Sequence, residues 1–501
     1  ASHYLKRDTD QEVLVIGSAG GQEMKAALTY GAKHVDGIEL VGKVVDLGKN
    51  EYAEYTGNVF NLPNVNVHRG EGRSFLRSTD KKYDIIQIMS NHTSSSIASG
   101  GTAINPTYLQ TQEAYLEYFS HLTYDGVLHI NHHVYPRMLA TAANAWKAAG
   151  KSDFKKHVAV FIVPNTQDNL PTFMVKMTPW TKAELDEVGK LLRPARLEIN
   201  PLKADENELQ TRLITGNLTE EDLESSPYQI RPTTDDRPFF NLLRKSRQHI
   251  DPIPEKLLDT ATARLLNSQI IAGLPMDVIH LYVVGAGASV FALLVILIPL
   301  LFSKAGRAYW PNKAPTLAYF GLLGLGFILF ELVSIHLFMR LIGYPLYSLT
   351  TVIFGYLIGA GIGSLASESF GITPWKKWWV PFAGIMVTSI TVLVIHPMVI
   401  DHFLQASQMM RVLVALAMVL PIAFFLGMAF PLGVLRVSET PYAKQAIAWA
   451  WGINGVFTVI GGFLSVILSI FFGFTATLCV AILCYILAFF VFRRLTNATS
   501  Y

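Results

Sequence analysis

The sequence predicts two unlike halves: an α/β domain built on a parallel sheet, followed by an all-α polytopic transmembrane domain. Three observations carry that expectation. Apolar runs of strand length alternate with helix-forming stretches through the first third of the chain. The small residues Gly17-Ser-Ala-Gly20-Gly21 join the first such run to the first helix. From Met276 onward, apolar stretches long enough to cross a bilayer recur.

The opening unit is the most informative. Val13 to Ile16 reads as a strand, Gly17 to Gly21 as a tight turn, and Gln22 to Leu28 as a helix; a second apolar run ends in Glu39. Glycines let the backbone approach a ligand closely, the helix N-terminus offers free N–H groups, and a carboxylate at the end of the second strand can accept bonds from a ribose diol. The pattern therefore points to a nucleoside-containing ligand across the turn. Gly-rich turns also serve ordinary strand–helix junctions, so the rest of the chain has to weigh in.

In order after Glu39 come a helix from Val45 to about Tyr55, a third strand at Asn64–His68, and Gly70-Glu71-Gly72-Arg73 opening another helix. Tyr83 to Met89 reads as a buried strand, followed by a polar loop from Ser90 to Pro106. A helix at Thr111–His121 and a strand at Gly126–Ile130 follow. The runs His157–Val163 and Pro171–Lys176 are expected to close the sheet as an antiparallel hairpin. Helical stretches at Lys182–Leu192 and Glu206–Leu213 precede Asp235-Asp236-Arg237-Pro238-Phe239-Phe240. Two carboxylates beside an arginine can clamp a charged substrate, but more often pin a loop through carboxylate–guanidinium bonds. Boundaries follow at 1–180 for the sheet domain, 181–270 for an α-rich extension and linker, and 271–501 for the membrane domain.

A net charge of +3 over 501 residues is too small to argue for nucleic acid. Mean hydropathy of +0.32 averages a charged first half with an apolar second. Both cysteines, Cys479 and Cys484, lie in an apolar run, which excludes a disulfide framework. His129, His132 and His133 look like a metal cluster, yet a strand alternates faces and no carboxylate or cysteine stands at ligand spacing, so no metal site is expected. The chain opens at Ala1 without a signal peptide, so it is either processed or part of a longer protein.

Gly17 to Gly21, Glu39, Gly70-Glu71-Gly72 and Tyr83-Asp84-Ile85-Ile86 resemble the nucleotide-binding motifs of class I S-adenosylmethionine-dependent transferases, spermidine synthases above all. With Ala53-Glu-Tyr-Thr-Gly-Asn58, Arg73-Ser-Phe-Leu76, the 235–240 segment and the apolar tail, the chain resembles polytopic membrane proteins that carry a spermidine-synthase-like domain. The fold this implies is a Rossmann-like class I methyltransferase/spermidine-synthase-like domain. The resemblance places Gly17, Ala19, Gly20 and Gly21 beside the amino-acid portion of S-adenosylmethionine or its decarboxylated form. It assigns Glu39 to the ribose hydroxyls and Gly70 and Glu71 to the adenine side. Ala19 stands where the family often has glycine. Met89 stands where soluble spermidine synthases carry an aspartate for the attacking amine, and a thioether neither takes a proton nor holds a cation. His92 could then act as general base and Asn91 as an orienting group, or both are ordinary loop residues.

Apolar stretches near 276–302, 315–339, 345–367, 378–400, 411–435, 446–471 and 474–492 make about seven spans. Trp310, Trp375, Trp378 and Trp379 are expected in an interfacial belt, and Gly321, Gly324, Gly355, Gly359 and Gly363 on close helix contacts. Glu331, His336 and Asn454 lie inside spans, where polar groups face a partner helix or a wet cavity. Loop cations gather on the side opposite the sheet domain: Lys304, Arg307, Lys313, Lys376, Lys377, Arg436, Lys444, Arg493 and Arg494 against Arg340 and Arg411. The positive-inside rule then favours a non-cytoplasmic sheet domain, whereas an S-adenosylmethionine user belongs in the cytoplasm. Three functions follow: a membrane-bound transferase acting on an amine or membrane-associated acceptor, a catalytically silent scaffold subunit of a membrane complex, or, ranked last and resting mainly on Glu331, a transporter regulated by the sheet domain. The expected partners are the lipid bilayer and, in the second case, other membrane proteins.

Overall fold

The computed structural model describes residues 1–89, 106–132, 135–163, 171–203, 208–226, 229–242, 276–369 and 377–497. The chain divides into two compact units, Ala1–Ile279 and His280–Tyr501.

The first unit is an eight-stranded sheet in the order β3-β2-β1-β4-β5-β7-β6-β8. The strands are β1 Gln11–Ile16, β2 Ala32–Glu39, β3 Val65–Arg69, β4 Tyr83–Met89, β5 Leu122–Asn131, β6 Val158–Ile162, β7 Thr172–Lys176 and β8 Arg196–Ile199. The first five run parallel, and β7 pairs antiparallel with both β5 and β6, which is the hairpin expected from sequence. Chain order reverses between β1 and β4, the topological switch point where a ligand crevice opens at the strands' carboxyl ends.

Alternation along the strands explains the two cores. Leu14, Ile16, Ile86, Ile88, Leu128 and Ile130 face one side and pack on helices Gln112–His121 and Tyr135–Ala148. Val13, Val15 and Ile85 face the other, against Met24 and Ala27 of helix α2, Gln22–Thr29, which follows the short helix α1, Ser2–Leu5. The helix expected to run to Tyr55 stops at Lys49, where turns replace it; Asn58 and Gly57 there adopt positive φ. Residues beyond 180 join the same core: β8 extends the sheet, and Leu213, Ile214, Leu223, Ile230 and Phe240 pack into it.

The 235–240 segment is pinned. Arg73, 3% exposed, donates to Glu117 Oε1 at 2.6 Å and Oε2 at 3.0 Å, and to Asp235 Oδ1 at 2.7 Å. Arg137 donates to the carbonyls of Phe239, Phe240 and Leu242. Of the two roles weighed for Asp235, the geometry matches the structural one.

Among the described residues, the second unit holds seven helices long and apolar enough to cross a membrane: Leu281–Phe302, Lys313–Ile342, Pro345–Ser367, Val380–Phe403, Gln408–Ser438, Ala443–Phe472 and Phe474–Leu495. Small residues set their spacing. A Cβ at Gly324 would stand 2.4 Å from the Asn454 carbonyl, one at Gly359 2.6 Å from Ala423 Cβ, and one at Gly363 1.9 Å from the Phe424 carbonyl. The second span thus packs on the sixth and the third on the fifth, at distances only glycine permits. Asn454 donates to the Phe320 carbonyl at 3.1 Å, and His336 stacks on Phe474. Trp310 departs from the expected belt. It is 1% exposed and stacks on Tyr442, whereas Trp379 is 51% exposed.

Candidate functional site: the crevice at the first strand–helix corner

The crevice is built where β1 hands over to α2. Gly17 and Ser18 donate their N–H groups to the Ile38 carbonyl at 2.9 and 3.1 Å, which docks the turn onto β2. Gly17 and Gly21 take φ of 83° and 84°, which favours glycine. Gly21 could not carry a side chain in any case, since a Cβ would meet Val59 Cγ1 at 2.6 Å. At Gly20 a Cβ would meet nothing within 4 Å, so the turn faces open space there. Ala19 also adopts positive φ, 41°, where glycine would be unstrained.

Glu39 spans this turn. Its Oε2 accepts from Ala19 N at 3.0 Å and its Oε1 from Val41 N at 3.0 Å, while its backbone carbonyl accepts from Gly70 N at 3.0 Å. Gly17, Ala19, Gly20, Gly21, Glu39 and Gly70 are therefore brought together. Each carboxylate oxygen keeps a further lone pair for a ligand hydroxyl. The N-terminus of α2 has no side-chain cap, leaving its first N–H groups for an incoming ligand.

Glu71 has a structural duty that spacing did not reveal. It caps helix Gly72–Arg77, accepting from Arg73 N at 3.0 Å and from Ser74 N at 2.8 Å. Met89 closes β4 opposite Asn131, whose amide donates to Thr172 Oγ1 at 3.2 Å. Asn91, His92 and His133 lie outside the described residues.

Sequence reading missed two features. Ser18, 3% exposed, has an Oγ without a hydrogen-bond partner, an unsatisfied polar atom in the turn itself. Along the sheet face below, Gln87 Nε2 donates to Glu23 Oε2 at 2.5 Å while its Oε1 meets His3 Nε2 at 2.6 Å; Ser2 Oγ bonds His129 Nδ1 at 2.9 Å. Burial pushes His3 down to about 4 and His129 well below the usual imidazole range, so both are neutral near pH 7. A glutamine inside an apolar strand was the available signal. No group of three metal-ligating side chains occurs among the described residues, and His129 meets Ser2 through Nδ1.

The crevice, its glycine turn and its acidic strand end lie in a part of the chain that is similar to known proteins. Residues 3–186 match the spermine/spermidine synthase domain. This synthase-like domain is 29% identical over 165 residues to the polyamine aminopropyltransferase of Alkaliphilus metalliredigens, covering 32% of this chain and 52% of that protein. It is 32% identical over 128 residues to the polyamine aminopropyltransferase of Clostridium perfringens, covering 25% and 41%. The chain spans about half or less of the curated relatives it matches. The spermidine synthase of Thermotoga maritima aligns at 18% identity with a TM-score of 0.28, covering 44% of this chain and 70% of that one.

Proposed function

We propose that the synthase-like domain binds S-adenosylmethionine or its decarboxylated form, and that the chain is a membrane-bound transferase acting on an amine or a membrane-associated acceptor. One observation carries the reading: Glu39 reaches across the glycine turn to Ala19 N beside an uncapped α2 N-terminus. That arrangement pairs an acceptor for ribose hydroxyls with N–H donors for the amino-acid portion. Bound there, the donor supplies an electrophilic carbon on a sulfonium. The protein's work is then alignment of an acceptor lone pair with that carbon, and acceptance of the proton an amine releases. Met89 offers no charge for this, which leaves Asn91 as orienting group and His92 as base.

The second reading, a silent scaffold within a membrane complex, is favoured by Met89 and by the loop cations, which would place the domain away from cytoplasmic donor. Isothermal titration of the purified full chain with each compound separates the two. The transferase reading expects saturable binding, weakened about tenfold or more by Glu39→Ala, in line with loss of a charge-assisted hydrogen bond of roughly 1.5–3 kcal/mol. Glu39→Gln, which keeps one carbonyl acceptor for the turn, controls for collapse of the corner. Binding of neither compound by the unaltered protein moves the conclusion to the scaffold. Protease treatment of intact spheroplasts adds the side: the transferase reading expects a protected sheet domain.

A further inference from the structure

Between the fourth and seventh spans lies an apolar groove of about 400 Å³, with Trp379, Phe382, Ala383 and Met386 on one wall and Phe489 and Phe490 on the other. The two helices run antiparallel here, the first turns of Val380–Phe403 lying beside the last turns of Phe474–Leu495. Trp378 stacks on Phe489 at 5.0 Å and fixes that pairing. Basic residues stand at the ends of both helices that wall the groove. Arg493 and Arg494 follow Phe489 and Phe490 by four residues each and so continue the same helical stripes, and Lys377 sits two residues before Trp379. All three basic residues are exposed. Arg436 reaches the same end, donating to the Leu495 carbonyl. Trp379, half exposed, marks the depth at which acyl chains give way to headgroups.

We propose that this groove is a binding site for an anionic phospholipid, one acyl chain lying between the fourth and seventh spans and the phosphate held by Lys377, Arg493 and Arg494. Basic residues at span ends also set topology, and on that account alone they would show no preference among lipids. The groove beneath them adds the second half of the recognition: aromatic walls for the chain directly under cations for the headgroup. A free phosphate would use only the rim.

The test is lipid retention by the full chain in detergent, read by native mass spectrometry after equilibration with equal phosphatidylglycerol and phosphatidylcholine. The site predicts at least a fivefold preference for phosphatidylglycerol, reduced to near parity in the Lys377→Gln/Arg493→Gln/Arg494→Gln protein. Ala383→Trp, which fills the groove, lowers retention of phosphatidylglycerol at least fivefold; Met386→Trp does the same should the first variant fail to fold. Millimolar inorganic phosphate leaves retention unchanged. Equal retention of the two lipids by the unaltered protein, an undiminished preference in the triple variant, or displacement by inorganic phosphate overturns the proposal.

Discussion

At the scale of single residues, the synthase-like domain carries its polar groups where burial decides their charge. His3 is 2% exposed and donates from Nε2 to Gln87 Oε1 in a layer that also includes Glu23. With the imidazole pushed down to about 4 by burial, the unfolded chain binds that proton more tightly than the folded one. Stability from this residue is fully present above the ordinary value of about 6.5 and is lost as pH falls through about 4, a swing of roughly 3 kcal/mol. Thermal unfolding of the full chain followed between pH 7 and pH 4 should show the decline, and His3→Gln should make it shallower. Asp36 works in the same direction at lower pH. Burial alone would raise its carboxyl, but hydrogen bonds from His68, Lys81 and Tyr83 hold it well below the usual range.

At the scale of elements, one buried arginine joins three segments distant in sequence. Arg73 opens helix Gly72–Arg77, Glu117 belongs to helix Gln112–His121, and Asp235 to the 235–240 segment. Desolvation disfavours charge at Arg73, yet Asp235 and Glu117 hold it protonated far above its ordinary range. Removing one member of such a cluster strands the others, at a cost of about 3–5 kcal/mol. Arg73→Met should therefore lower the midpoint of the sheet domain's thermal transition by roughly 10 °C, read by intrinsic fluorescence. A transition unmoved by the substitution would show that the cluster contributes nothing net. The pinned segment also illustrates what pattern reading can and cannot do. Asp235, Arg237 and Pro238 were visible as a candidate clamp, but Arg73, the partner of Asp235, stands more than 160 residues away and no local spacing announces it.

At the scale of the whole molecule, the membrane half is assembled through missing side chains. Gly363 lets the third span meet the backbone of the fifth, whereas at Gly361, two residues away on another face, a Cβ would meet nothing within 4 Å. Gly363→Leu should disperse or destabilise the bundle, seen as loss of a monodisperse peak on size exclusion. Gly361→Leu should behave as the unaltered protein does. If both are tolerated alike, the third and fifth spans do not meet as described.

The sequence by itself determined the alternation of strands and helices, the glycine turn with its acidic partner at Glu39, and the seven apolar helices, because each is written in local periodicity or in a short motif. Tertiary structure alone decided that Glu71 caps its own helix, that Gln87 joins Glu23 to His3, that Trp310 is buried under Tyr442, and that Asp235 is bound to Arg73. Those facts depend on which side chains meet after strands and helices pack. Local spacing fixes the direction in which a residue points; the identity of the partner it finds there is set by chain segments far away in the sequence.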